Sequence, residues 1–189
     1  MNKLKVAALV AMMVSGAAMA ETDKTGFYVG GALNQVKASG DGEGSSDGVG
    51  FGAYGGYNFN EWFGLEANLF ASGDLGEDGV DIGAGALTFA PKFTYHFNDT
   101  FSAFAKVGVA SMAVVVDYGP FDRDFTGWGV TWGVGVNAAL TDNLNLRLSY
   151  DRTRGDLDDD SYWFEGENYG GKLDNVDISQ IALGLHYQF

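Results

Sequence analysis

The sequence predicts an all-β protein: an eight-stranded antiparallel up-and-down barrel that spans a membrane. Three observations lead there. Apolar residues recur at every second position in eight segments, which is the period of a strand and not of a helix. The links between these segments alternate between tight turns and longer polar stretches. The face opposite the apolar one is small, polar or glycine, and 29 of the 189 residues are glycine.

The chain opens with MNKLKVAALVAMMVSGAAMA. Lys3 and Lys5 precede an apolar run that closes on Ala18-Met19-Ala20. This pattern predicts a secretory signal over 1–20, with cleavage between Ala20 and Glu21 and a single barrel domain over 21–189. The apolar run is too short for a membrane helix. With no cysteine, neither a disulfide nor thiol chemistry is available. Removing Lys3 and Lys5 takes 11 basic residues to 9 against 25 acidic ones, a formal charge of −16. Phosphate recognition needs a basic surface, so no nucleic-acid partner is expected.

Strands are expected near 26–37, 48–59, 62–72, 82–97, 101–116, 128–140, 143–153 and 178–189. The clearest is WGVTWGVGVNAAL, with Trp128, Val130, Trp132, Val134 and Val136 on one face. Phe51, Ala53, Tyr57 and Phe59 share a face, as do Leu87, Phe89, Phe93 and Tyr95. The last strand carries Ile181, Leu183, Leu185, Tyr187 and Phe189. Asn60-Glu61, Asn98-Asp99-Thr100 and Thr141-Asp142-Asn143 are the tight turns. The longer links, near 38–47, 73–81, 117–125 and 154–177, carry nearly all the acidic charge. Two stretches fit imperfectly. Pro91 lies within a strand and predicts a bulge. The stretch 107–116 is apolar on both faces, which leaves its register open.

A water-soluble barrel would turn the large apolar face inward and leave a glycine-rich surface to solvent, where it packs poorly. A membrane barrel turns that face to lipid and keeps small residues in a narrow bore. A soluble ligand-carrying calyx is the outside alternative. Aromatics near strand ends, among them Phe27, Tyr57, Trp62 and Phe97, suit an interfacial girdle. On the small face, Glu66, Lys92, Lys106, Asn137 and Arg147 count to a similar height above the short turns. Buried together they must pair, with Glu66 to Arg147 or a lysine as the leading pair. The layer holds one acid against three bases, so waters or Tyr54 are expected to help.

GAYGGYNFNEWFGLEANL and LNLRLSYD resemble the second hairpin turn and seventh strand of the small outer-membrane barrels of Gram-negative bacteria, the OmpA-type transmembrane domain and its porin-family relatives. The resemblance covers the mature chain. It implies short periplasmic turns, long extracellular loops and a place in the outer membrane. It also implies that the five small-face residues form an interior charge layer, in which Asn137 departs from an expected acid. Gly184, Tyr187 and Phe189 resemble the family's C-terminal assembly signal, read by the barrel-insertion machinery, with Ala182 where that signal often has a polar residue.

No catalytic pattern is present. His96 and His186 lack the His-x-Ser arrangement of outer-membrane lipid hydrolases, and no Gly-x-Ser-x-Gly elbow occurs. Neither enzyme activity nor a cofactor is expected. Asp156, Asp158, Asp159 and Asp160 are candidate ligands for a divalent cation, against the plainer reading of a solvated acidic loop. Tyr162, Trp163 and Phe164 beside them suit contact with a headgroup or a protein partner. The expected function is structural or surface-interacting, through acidic loops on a monomer surrounded by outer-membrane lipid and lipopolysaccharide. A narrow gated pore for ions or small solutes is the alternative, and a membrane-embedded lipid-modifying enzyme comes after it. A closed membrane barrel predicts a compact band in cold SDS that shifts on boiling; a protein with no heat shift would reassign the apolar faces to a soluble interior.

Overall fold

The computed structural model describes residues 24–39, 45–72, 81–118, 121–159, 163–164, 167–168 and 172–189. The expected signal segment therefore lies outside the described residues. Eight strands form the barrel: β1 (Gly26–Ser39), β2 (Ser45–Asn58), β3 (Phe63–Ser72), β4 (Asp81–His96), β5 (Phe101–Tyr118), β6 (Phe121–Ala139), β7 (Leu144–Asp159) and β10 (Lys172–Gln188). Between the last two, β8 (Trp163–Phe164) and β9 (Glu167–Asn168) make a separate two-stranded sheet. Each barrel strand pairs antiparallel with its chain neighbour, and β10 returns to β1 to close the ring. Lipid offers no partner for an open edge, so closure is what allows this sheet to lie in a membrane.

The short turns are built by side chains that replace missing backbone partners. Asn60 Oδ1 accepts from the Trp62 and Phe63 amides at 3.0 and 2.8 Å. Asn98 Oδ1 does the same for Thr100 and Phe101 at 2.9 and 2.8 Å. Thr141 Oγ1 accepts from the Leu144 amide at 3.0 Å. The last residue is held as firmly as an internal one. The Phe189 amide donates to Phe27 O at 2.8 Å, and Asn143 Nδ2 donates to Gln188 O at 2.8 Å.

At the other end the strands run further than the apolar pattern does. β1 reaches Ser39, β5 reaches Tyr118, β6 starts at Phe121 and β7 reaches Asp159. Much of the stretches expected as polar links is thus ladder. Antiparallel pairing needs no apolar face once the strand has left the lipid, so hydropathy marks the membrane boundary and not the end of the strand.

Pro91 makes no bulge. Phe89 pairs with Val109 and Lys92 with Lys106, so the β4–β5 register is the same on both sides of it. A proline removes one donor, whereas a one-residue slip would turn every later side chain to the wrong face. The close approach at Gly108, where a Cβ would lie 2.6 Å from Ala90 Cα, lets the strands stay in step. The register shifts instead between Leu173 and Val176 of β10. There Asn175 has φ 54°, and its amide donates to Asp156 Oδ1 at 2.9 Å.

The outer face carries the expected apolar stripes and an aromatic belt at the short-turn end. Phe27 meets Tyr57 with ring centroids 4.7 Å apart, Tyr57 meets Phe59 at 5.1 Å, and Tyr187 meets Phe189 at 5.2 Å. The doubly apolar stretch of β5 resolves into Val107, Val109 and Val115 outward and Ala110, Met112 and Val114 inward. The inner face is not uniformly small. Val36, Phe70, Met112, Phe125, Leu157 and Ile178 form a buried apolar cluster inside the bore. The interior of a barrel of about eight strands is just wide enough for side chains to fill, and these pack against one another inside it. Phe70 is 1% exposed and Phe51 71%. Phe70→Ala should therefore cost about 3–5 kcal/mol through the cavity it leaves. Phe51→Ala, which only exchanges a ring against lipid, should cost less; urea unfolding in detergent micelles measures both.

Candidate functional site

Glu66 is the centre of the bore. It stands on β3 and is 1% exposed. Three donors reach its carboxylate. Lys106 Nζ lies 2.8 Å from Oε1, Arg147 Nη1 lies 2.8 Å from Oε2, and the Tyr28 hydroxyl donates to Oε2 at 2.7 Å. Lys92 reaches this group through Tyr28, with Nζ donating to the hydroxyl at 2.8 Å. Arg147 is fixed from several sides. Its Nε donates to Asn137 Oδ1 at 3.3 Å, and its guanidinium lies 4.5 Å from the Tyr54 ring centroid and 4.0 Å from that of Phe104. Asn137 in turn donates to Ser102 Oγ at 3.2 Å. Glu66, Lys92, Lys106, Asn137 and Arg147 are thus brought together, and all five are buried.

The pairing is wider than the one expected. Glu66 takes Arg147 and Lys106 together. A second acid also joins: Asp151 Oδ1 lies 2.8 Å from Lys106 Nζ, an ion pair whose angles fall short of a hydrogen bond. Ser149 donates to Asp151 Oδ2 at 3.0 Å. In sequence Asp151 falls near the end of the strand expected over 143–153. Its parity with Arg147 and Ser149 was the available signal, since residues two apart on a strand share a face. Tyr28 was missed because only charged and amide residues were counted on the small face, although its parity, opposite to that of Phe27, places it there. Three bases now face two acids, and the aromatic rings and hydroxyls share the surplus.

Glycines on intervening strands let these side chains meet. Tyr28, Gly56 and Glu66 stand in register on β1, β2 and β3. Lys106, Gly133 and Asp151 stand in register on β5, β6 and β7. A Cβ on Gly56 would lie 2.5 Å from the Tyr28 hydroxyl oxygen, and one on Gly133 would lie 2.9 Å from Lys106 Cε. In both rows the missing side chain is the path by which one strand reaches the next but one.

The remaining candidates are scattered. His186 is buried, with Nδ1 3.3 Å from the Tyr54 hydroxyl, while His96 lies on β4 opposite Ser102. Asp156 is engaged with the Asn175 amide. Asp158 is exposed, Asp159 closes β7, and Asp160 lies outside the described residues, as does Tyr162. Among the described residues no three His, Asp or Glu side chains converge as a metal site would require. Gly184 on β10 opposes Arg147 and Ala32, and Tyr187 faces outward beside Phe189.

A family profile described as "Outer membrane protein beta-barrel domain" matches residues 6–189. The chain belongs to this family. It is an outer-membrane protein of the Gram-negative type. It is 28% identical over 170 residues to the 25 kDa outer-membrane immunogenic protein of Brucella ovis, covering 87% of this chain and 76% of that one. The 22 kDa outer membrane protein of Rhizobium leguminosarum bv. viciae is 26% identical over 175 residues, covering 87% of this chain and 77% of that one. Among solved structures, Neisserial surface protein A superposes with a TM-score of 0.71 at 19% identity, covering 87% of this chain and 98% of that one. Ail of Yersinia pestis follows at 0.61 and 18%, covering 87% and 99%. These two share the fold.

Within this family barrel, the Glu66 network has a direct energetic test. Glu66→Ala leaves Arg147 and Lys106 buried without their shared carboxylate and should cost about 3–5 kcal/mol. Lys92 touches the acid only through Tyr28, so Lys92→Met should cost less than about 1 kcal/mol or stabilise, because a buried charge gives way to a chain of similar volume. Urea unfolding of both variants in micelles measures the contrast.

Proposed function

We propose that this is a sealed structural barrel that presents acidic loops at the cell surface, where they meet partners or ions. One observation carries the reading. The bore is filled at two levels, by the Glu66 network and by the apolar cluster toward the long-loop end, in which Val36 and Leu157 are 0% exposed. A pore would need a continuous wet path through both. The relatives named as immunogenic outer-membrane proteins fit a chain whose loops face outward. The export steps belong to the same proposal: removal of 1–20 before Glu21, and recognition of Gly184, Tyr187 and Phe189 by the insertion machinery.

The narrow gated pore is the competing reading, and planar bilayers separate the two. The purified protein should give no stepwise conductance. Glu66→Ala should lower stability and still give none, because the apolar cluster remains in place. Stepwise conductance in the unmodified protein would favour the pore, and conductance appearing only in Glu66→Ala would make the charged layer a gate.

A further inference from the structure

The charged layer of the bore does not balance. Among the described residues its buried ionisable side chains are Glu66 and Asp151 against Lys92, Lys106 and Arg147. Two acids against three bases leave one positive charge. Both carboxylates are already engaged, Glu66 by Lys106, Arg147 and Tyr28, and Asp151 by Lys106 and Ser149. Lys92 donates to the Tyr28 hydroxyl, which is no counter-charge. Rings and hydroxyls spread the surplus over the layer without cancelling it, and a buried charge with no opposite charge is costly.

The surplus has a place. Arg147 is 3% exposed. Its Nη1 is spent on Glu66 and its Nε on Asn137 Oδ1, while its buried Nη2 has no hydrogen-bond partner. A carboxylate at position 137 could accept from Nε and Nη2 together, as a fork. The Asn137 amide instead accepts from Nε and turns Nδ2 to Ser102 Oγ at 3.2 Å. Ser102 accepts that bond and keeps its own hydroxyl proton to give. Donors are therefore in excess around Asn137, beside the guanidinium that carries the charge.

This corner faces the short-turn end of the bore. No inward position between it and the turns carries a carboxylate. Thr94, His96 and Asn145 there are half-buried, so solvent reaches into this end. The carboxylates of Glu61, Asp99 and Asp142 stand exposed on the turns themselves, where salt screens them. Lys24 extends across the mouth. From the β1 side its Nζ donates to Asp99 O at 3.1 Å, and β5 stands opposite β1 in the ring. A cation thus marks each end of a polar passage whose walls carry no acid.

We propose that Arg147 Nη2, Asn137 and Ser102 form the site of one small monovalent anion of the halide class, taken up from the short-turn end. The ion supplies the negative charge that an amide at position 137 does not. Its single charge matches the single surplus, and a bore of this width selects for small size. The inference goes beyond the sealed-barrel reading, because the ion binds beneath the Glu66 network and does not cross it.

The test is urea unfolding of the full-length barrel in zwitterionic micelles at fixed ionic strength, with sodium chloride replaced stepwise by sodium gluconate, whose anion is too bulky for the bore. At chloride about ten times its dissociation constant, the wild-type folding constant should be about tenfold higher than in gluconate alone. Asn137→Asp places the missing charge on the chain and should lose this dependence. Lys92→Met removes the surplus and should weaken it, and serves where Asn137→Asp fails to show the heat shift of a folded barrel. Asp142→Asn, on the rim, should behave as the wild type. In crystals grown with bromide, an anomalous scattering peak should lie within hydrogen-bond reach of Arg147 Nη2. Wild-type stability indifferent to chloride, as water alone at Nη2 would give, overturns the proposal. An undiminished dependence in Asn137→Asp or Lys92→Met, or bromide bound only elsewhere, overturns the site.

Discussion

The closing ladder between β1 and β10 is the constraint on which the rest of the structure depends. Inside a bilayer every backbone donor and acceptor must find its partner within the protein, and a sheet does this only as a ring. Twelve paired positions from Tyr28↔Gln188 to Ser39↔Asp177 make that closure. The bond from the Phe189 amide to Phe27 O carries it to the last residue. Once the ring holds eight strands, its diameter is set within narrow limits, and the bore is narrow enough for side chains to fill.

A narrow bore forces a choice at every inward position. Near the short turns the chain places charge there, and the cost of burying it is met by sharing. Glu66 accepts from two cations and a phenol, Arg147 lies between aromatic rings, and Lys106 bridges to Asp151 across Gly133. Toward the opposite end it places an apolar cluster that needs no pairing. The two fillings differ in what they specify. An apolar cluster tolerates exchanges of similar volume, whereas the charged one works only in one register, because its partners come from several strands around the ring.

Much of this was legible in the sequence, and each failure has a physical cause. Period-two hydropathy marked all eight strands, and the turn residues Asn60, Asn98 and Thr141 placed the short turns. The common height of Glu66, Lys92, Lys106, Asn137 and Arg147 anticipated residues that the fold packs together. The strand ends at Tyr118, Phe121 and Asp159 were missed because the ladder outlives the lipid. Asp151 lay inside the expected strand near 143–153 and on the parity of Arg147, but was not counted with the charge layer because it stands four residues higher on the strand. The bulge expected at Pro91 was displaced to Leu173/Val176, where polar surroundings tolerate the shift and no lipid-facing stripe has to follow it.

Except over 107–116 of β5, the sequence by itself determined which side chains face lipid and which face the bore. Alternation along a strand is local, and each residue carries that information without reference to any other strand. Only the tertiary structure decided who meets whom. Glu66 lies 81 positions from Arg147 and 40 from Lys106. Their meeting depends on shear and closure, which no single strand encodes. The same holds on the outside, where Lys37 and Arg152 come to flank Ser179 only because the first strand pairs with the last.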